Sequence, residues 1–166
     1  MKRSVIIVRH AKSSWSDPAQ PDFERPLNDR GKADAPVMAQ RLLNRQVRID
    51  AFITSPAKRA RKTAALFAEV YGKDKEHLIQ VPSLYHAEPT DFFRCIAQAP
   101  DQAATIAIFS HNPGITAFVN MLTKVNVDDM PTCAVYAVQC ELENWSGFES
   151  VQKDFWFFDY PKSFLP

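Results

Sequence analysis

Long hydrophobic runs are missing from this chain. No segment approaches the roughly 20 apolar residues of a membrane-spanning helix, and the sequence reads as that of a soluble protein. Lys2-Arg3 resembles the start of a signal peptide, but the apolar run after it ends at Val8, too short for the hydrophobic core of one. A cytoplasmic location is expected. An excess of one charge is also missing: twenty basic side chains face nineteen acidic ones, for a net charge of +1. That balance gives no bulk attraction to nucleic acid or to an anionic membrane, so any anion site must be local. Cysteine is scarce. Cys95, Cys133 and Cys140 are odd in number and lack Cys-x-x-Cys spacing, which argues against a disulfide framework or a zinc knuckle and for reduced thiols. No internal repeat or low-complexity segment is present.

At 166 residues the chain suits one domain, 1–166, able to bury roughly 70% of its extended-chain surface. Its organising stretch is Val5-Ile6-Ile7-Val8-Arg9-His10. Four β-branched residues predict a short buried strand that runs directly into a cation and an imidazole. Ligands of open α/β sheets bind beyond the carboxyl ends of the strands, which makes Arg9 and His10 candidates for chemistry. A single His after a strand is more often a hydrogen-bonded structural residue, so the rest of the chain must decide.

Residues 11–28 contain Trp15, Asp17, Pro18, Pro21, Asp22, Phe23, Glu24 and Pro26 without a sustained period. They read as an ordered flap loop over a site. Asn28 is a predicted N-cap for a helix to about Asn44 with Ala35, Met38, Ala39, Leu42 and Leu43 on its core face, and Pro36 should kink it or shift its start. Ala51–Thr54 predicts a second strand. Ser55-Pro56 supplies an N-cap and a first helical proline, with Ala60, Ala64, Phe67 and Tyr71 at helical spacing behind it. The helix start favours anions, and Arg59, one turn in, can swing back toward the strand mouth. Lys58, Arg61 and Lys62 are read as a solvated helix face.

Leu78–Val81 is a candidate third strand, and Phe92, Phe93 and Ile96 mark a helix. Thr105–Phe109 is a second clear buried strand, ending in Ser110-His111-Asn112-Pro113-Gly114, with Asn112 as N-cap of a helix that buries Ile115, Phe118, Val119 and Leu122. Cys133–Glu141 and Asp154–Tyr160 predict two strands that pair antiparallel at a sheet edge around the turn at Asn144–Gly147. The aromatic tail (Phe155, Trp156, Phe157, Phe158, Tyr160, Phe164) is assigned to core packing rather than to a contact patch.

Three strand-to-helix transitions thus carry Arg9 with His10, Arg59, and His111, and a parallel sheet places their mouths on one edge. Two guanidiniums and two imidazoles repel metal ions and suit a dianion, because arginine presents a planar donor fork to phosphate oxygens. No metal and no cofactor are expected. With these residues in hand, the sequence resembles the histidine phosphatase superfamily, and within it the small SixA-like phosphohistidine phosphatases. The Arg-His-Gly motif appears as Arg9-His10-Ala11 and the Ser-x-x-x-Arg-Ala-x-x-Thr-Ala motif as Ser55 through Arg59 to Thr63-Ala64. The late Gly/Ser-His motif is Ser110-His111. The Asp22-Phe23-Glu24-Arg25-Pro26-Leu27 stretch and Gly31 also look like that branch.

The resemblance implies a single-domain, three-layer α/β/α fold, phosphoglycerate mutase-like, with a mostly parallel central sheet and an antiparallel edge near the C-terminus. It implies His10 as a covalent nucleophile forming a phosphohistidine intermediate, with Arg9, Arg59 and His111 clamping the phosphoryl oxygens. Two positions depart from the pattern. Ala11 replaces a glycine, tolerable where the backbone does not need positive φ. Ser16 stands where many relatives have Asn, so Ser13 or Ser16 is the candidate replacement contact. Lys12 either adds positive potential or points to solvent. Glu88 is the carboxylate nominated near the mouth, against the simpler reading of an exposed surface Glu. Asp17, Asp22 and Glu24 are assigned to turns and rim, and His77 and His86 to loops. The implied substrate is a phosphohistidine-bearing protein, with inorganic phosphate as product and with neither nucleic acid nor membrane as partner. The alternatives are a small-molecule phosphomonoesterase using Glu88 as general acid, and a non-catalytic phosphoryl-binding module.

Overall fold

Strand β1 (Lys2–Arg9) is buried from Arg3 to Val8 because neighbours flank it and helices cover it on both faces. The structure, a computed structural model, describes residues 1–163. Six strands form one sheet in the order β3 (Leu78–Gln80), β2 (Ala51–Thr54), β4 (Thr105–Ser110), β1, β5 (Val135–Glu141), β6 (Asp154–Asp159). β3, β2, β4 and β1 run parallel, while β5 and β6 pair antiparallel to close one edge. This is the expected α/β sheet of phosphoglycerate mutase type.

Alternation along the strands splits the core in two. Ile6, Val8, Phe52, Ala107 and Phe109 face α1 (Asp29–Asn44) and α2 (Lys58–Val70), meeting Met38, Leu42, Ala64 and Phe67. Val5, Ile7, Ile53, Ile106 and Ile108 face α3 (Pro89–Ala97) and α4 (Gly114–Val119), meeting Phe92, Ile96, Ile115 and Phe118. Of the aromatic tail, Phe157 is buried on the first face and Phe158 and Tyr160 pack against the second, whereas Phe155 is exposed; Phe164 lies outside the described residues.

Several element boundaries differ from the sequence expectation. α1 starts at Asn28 as predicted, the Asn28 side chain accepting from Gly31 N–H at 2.9 Å, but it runs through Pro36 unbroken. α2 begins at Lys58, two residues later than expected, because the Ser55 hydroxyl is drawn to His111 and accepts only the Ala57 N–H, leaving Ala57 at the cap. Asn112 does not cap α4. Its amide instead donates to Asp129 at 2.7 Å and to the Met130 carbonyl at 3.1 Å, and α4 starts after Pro113 and ends before Leu122. Cys133 precedes β5 because it takes a positive φ of 61°, outside strand geometry.

Candidate active site

The parallel register brings the strand ends level. Arg9 pairs with Ser110 and Thr54 with Phe109, so the residues that follow β1, β2 and β4 emerge side by side. His10 continues the β1–β4 ladder for one more step through its N–H to the Ser110 carbonyl at 3.1 Å, and its own carbonyl accepts from Cys133 N–H at 3.0 Å. Its ring centroid lies 5.1 Å from that of His111. A cleft of about 630 Å³ opens there, lined by Arg9, His10, Arg25, Arg59 and His111 among others.

His10 is held in a single tautomer. Its Nδ1 lies 2.7 Å from the Ala11 carbonyl, an oxygen that can only accept, so Nδ1 carries the proton and Nε2 presents a lone pair. Burial pushes its pKa down to about 3, helped by the nearby Arg59, Arg9 and Arg25 charges and opposed by the Ala11 bond. The ring is therefore neutral at physiological pH. The Ala11 N–H donates to Thr63 Oγ1 at 3.0 Å, and that hydroxyl donates to the Arg59 carbonyl at 2.8 Å, which ties the backbone after His10 to the first turn of α2. Among the described residues only Gln46, His86 and Cys133 are non-glycine residues with positive φ, so Ala11 needs no glycine.

Arg59 is held from the flap. Its Nη1 donates to the Asp22 carbonyl at 2.7 Å and its Nη2 to Asp22 Oδ2 at 3.0 Å, leaving Nε to face His10 Nε2 at 3.4 Å. Asp22 also accepts from Tyr85 at 2.7 Å and from Arg25 Nη2 at 3.1 Å. Partial desolvation works against ionisation of Asp22, yet the Tyr85, Arg25 and Arg59 donors outweigh it and hold the carboxyl well below the usual range. Arg25 stacks its guanidinium 3.8 Å over the exposed Trp15 ring and donates through Nη1 to Ser13 Oγ. His111 Nε2 lies 2.7 Å from Ser55 Oγ, and burial together with His10 and Arg59 depresses its pKa to about 2.

Among the described residues three buried side-chain polar atoms lack a partner, and all belong to residues lining this cleft: Arg9 Nε, Arg25 Nε and His111 Nδ1. Buried polar atoms left unpaired are costly and rare. The cleft they border carries three guanidiniums and two neutral imidazoles, a lining whose charge suits an anion.

The sequence-predicted residues separate on this geometry. Arg9, His10, Arg59 and His111 line the cleft together, as do Lys12, Ser13 and Glu88, although the Ser13 hydroxyl is taken up by Arg25. Ser16 is exposed, bonded to Ser14 Oγ at 2.9 Å and absent from the cleft lining, because the loop turns outward after Ser14. His86 lines the rim, and His77 lies by another cleft beside Asp50 and Pro100. Sequence reasoning missed Asp22 as the partner of Arg59, and missed Arg25, Tyr85 and Ser55. The available signal was the carboxylate–cation pair Asp22/Arg25, set three apart in an aperiodic loop. Among the described residues no group of three or more His, Cys, Asp or Glu is arranged to hold a metal ion.

Residues 5–84 match the histidine phosphatase superfamily (branch 1). An uncharacterized chloroplastic protein of Arabidopsis thaliana is 30% identical over 154 residues, 87% of this chain and 70% of that protein. An uncharacterized protein of Mycobacterium tuberculosis is 29% identical over 127 residues, 74% of this chain and 73% of that protein. Similar solved structures include the protein histidine phosphatase SixA complexed with tungstate, with a TM-score of 0.80 and 23% identity over 96% of this chain and 98% of that one. A mycobacterial glucosyl-3-phosphoglycerate phosphatase is similar at a TM-score of 0.68 and 14% identity over 93% and 97% of the two chains. The chain belongs to the histidine phosphatase superfamily, branch 1, and is a phosphatase of that superfamily with a SixA-like fold.

Proposed function

We propose that this phosphatase hydrolyses phosphohistidine on a protein through a covalent intermediate on His10. The Nε2 lone pair of His10 attacks phosphorus in line, and the P–N bond to the substrate imidazole, protonated on its other nitrogen, breaks with its electron pair leaving on the bonded nitrogen, so that a neutral imidazole departs. Water then attacks the phosphoryl group on His10, releasing inorganic phosphate and restoring the neutral ring. Arg9, Arg25 and Arg59 and the His111 ring act as preorganised partners for the phosphoryl oxygens as charge redistributes. Lys12 adds positive potential at the mouth.

The state of the carboxylates carries the choice of a phosphoramidate over an ester. Asp22, the carboxylate bonded into the arginine clamp, is held ionised and has no proton to give an alkoxide. An imidazole leaving group is less basic and needs little acid help. Glu88 lines the same cleft, and this favours a second reading, a phosphomonoesterase with Glu88 as acid. The test is phosphate release from a phosphohistidine protein and from p-nitrophenyl phosphate, with EDTA present. His10→Ala should reduce the first by about 10⁴-fold or more, and Glu88→Gln should change it less than about twofold. Rapid ester hydrolysis abolished by Glu88→Gln would install the second reading instead. Phosphate binding without turnover of either substrate would leave a phosphoryl-binding module.

A further inference from the structure

The basic residues of α2 assigned to a solvated face do not stand alone. Lys58, Arg61 and Lys62 form one wall of a second cleft, of about 480 Å³, whose other cations are Lys32 from α1 and Lys75 from the 3-10 turn before β3. Its floor is apolar, built from Leu27, Ala65 and Leu78. None of the residues lining it is acidic; Asp74 and Glu76, beside Lys75 in the chain, are exposed and outside the lining. Among the described residues none of these five cations takes part in an ion pair. Five unpaired like charges around an apolar floor repel one another and attract an anionic, partly apolar occupant. In a chain of net charge +1 that concentration is local.

The cleft adjoins the active site. Arg25 lines the catalytic cleft and Pro26 this one, and Arg59 lines the catalytic cleft while Lys58 lines this one. At two places in the chain, consecutive residues thus divide between the two clefts, which puts the clefts one residue apart along the backbone. A protein presenting a phosphohistidine to His10 brings its neighbouring surface to the second cleft as well. We infer that the second cleft docks an acidic, apolar-containing segment of the phosphohistidine-bearing protein, flanking the phosphorylated residue. This inference rests on the proposed substrate, because it names the surface chemistry of that same substrate.

Two measurements test it. The first compares turnover of a phosphohistidine peptide flanked on both sides by Glu, Asp and Leu with that of a peptide flanked by Gly and Ser, and with that of free phosphohistidine. The wild type should favour the acidic peptide by about tenfold in kcat/KM, from a few surface charge pairs. That preference should shrink as salt is raised and disappear in the triple variant Lys32→Glu/Lys62→Glu/Lys75→Glu, whose turnover of free phosphohistidine should be unchanged. The second measures binding of the fluorescein-labelled acidic peptide without phosphate, by anisotropy. It reports on the cleft even if the phosphatase reading fails. Salt-sensitive binding lost in the triple variant supports docking. Equal turnover of the two peptides, a preference that survives the charge reversal, or binding of a single-stranded RNA oligonucleotide in place of the acidic peptide would overturn it.

Discussion

Arg3 and Arg9 lie six residues apart on the same strand and are treated in opposite ways. Arg3 is 1% exposed, and every nitrogen of its guanidinium is used: Nε bonds the Leu142 carbonyl at 2.9 Å, Nη1 the Ala103 carbonyl at 2.9 Å, and Nη2 the Asp101 and Glu143 carbonyls, with Trp145 against its face. Arg9 bonds the Met130 carbonyl through Nη1 at 2.8 Å and leaves its buried Nε unpartnered. One end of the strand uses arginine as a clamp on the backbone, with all demands met from within. The other end leaves an arginine partly unmet beside the cleft, where the proposed function assigns it to the phosphoryl group. Full satisfaction marks Arg3 as a structural cation, and partial satisfaction is what the proposed role of Arg9 requires.

Two substitutions should separate the roles. Arg9→Met should lower kcat/KM for phosphohistidine by about 10²–10³-fold, or about 3–4 kcal/mol of transition-state stabilisation. Its urea midpoint should change little, because removing a desolvated charge beside Arg59 offsets the loss of the Asp129 attraction and of the single Met130 carbonyl bond. Arg3→Met should do the reverse. Orphaning its carbonyl acceptors should cost about 3 kcal/mol of unfolding free energy in urea, with turnover of the folded fraction unchanged. Loss of activity in a stable Arg3 variant, or of stability in an active Arg9 variant, would collapse the distinction.

Acid should weaken the catalytic end selectively. The folded-state pKa values of His10 and His111 lie near 3 and 2, below the ordinary value of 6.5, so the unfolded chain binds more protons as pH falls through that interval. Their contribution to stability is therefore intact above about pH 6.5 and erodes progressively toward pH 3. Each ring should account for about 1 kcal/mol of loss between about pH 7 and 5.5. Urea unfolding of His111→Gln should show a shallower decline than wild type. Asp22→Asn should have a smaller effect, about tenfold in kcat/KM, by loosening the charge-assisted hold on Arg59 and Arg25 while leaving His10 in place.

The legible parts of the molecule were those where one local rule decided the outcome. Val5–Val8 and Thr105–Phe109 are buried on both faces and read as apolar runs, which placed both strand mouths and so His10 and His111. Arg3 was illegible because its acceptors, at residues 101, 103, 142 and 143, are distant in sequence. The starts of α2 and α4 were misplaced for a related reason: Ser55 and Asn112 are good local caps, but His111 and Asp129 claim their side chains. Asp22 lay in a loop without periodicity, where only the assembled fold shows three donors meeting one carboxylate. The second cleft needed Lys32 and Lys75 beside α2, and no helical wheel of α2 contains them.

Ser13 and Leu27 form an antiparallel bridge, the Ser14 N–H donates to the Pro26 carbonyl at 2.8 Å, and the Asn28 N–H donates to the Lys12 carbonyl at 3.0 Å. The entry and exit of the loop that carries Asp22 and Arg25 are thus stapled together, and helix α1 is pressed so close that a Cβ on Gly31 would lie 2.2 Å from the Lys12 carbonyl oxygen. A segment whose two ends are fixed side by side behaves as a cassette, since lengthening it costs little closure entropy. The stapled ends return Asp22 and Arg25 to the strand mouth, where they bond Arg59 and Ser13, so a change of length is absorbed in the exposed stretch 16–19 rather than beside His10.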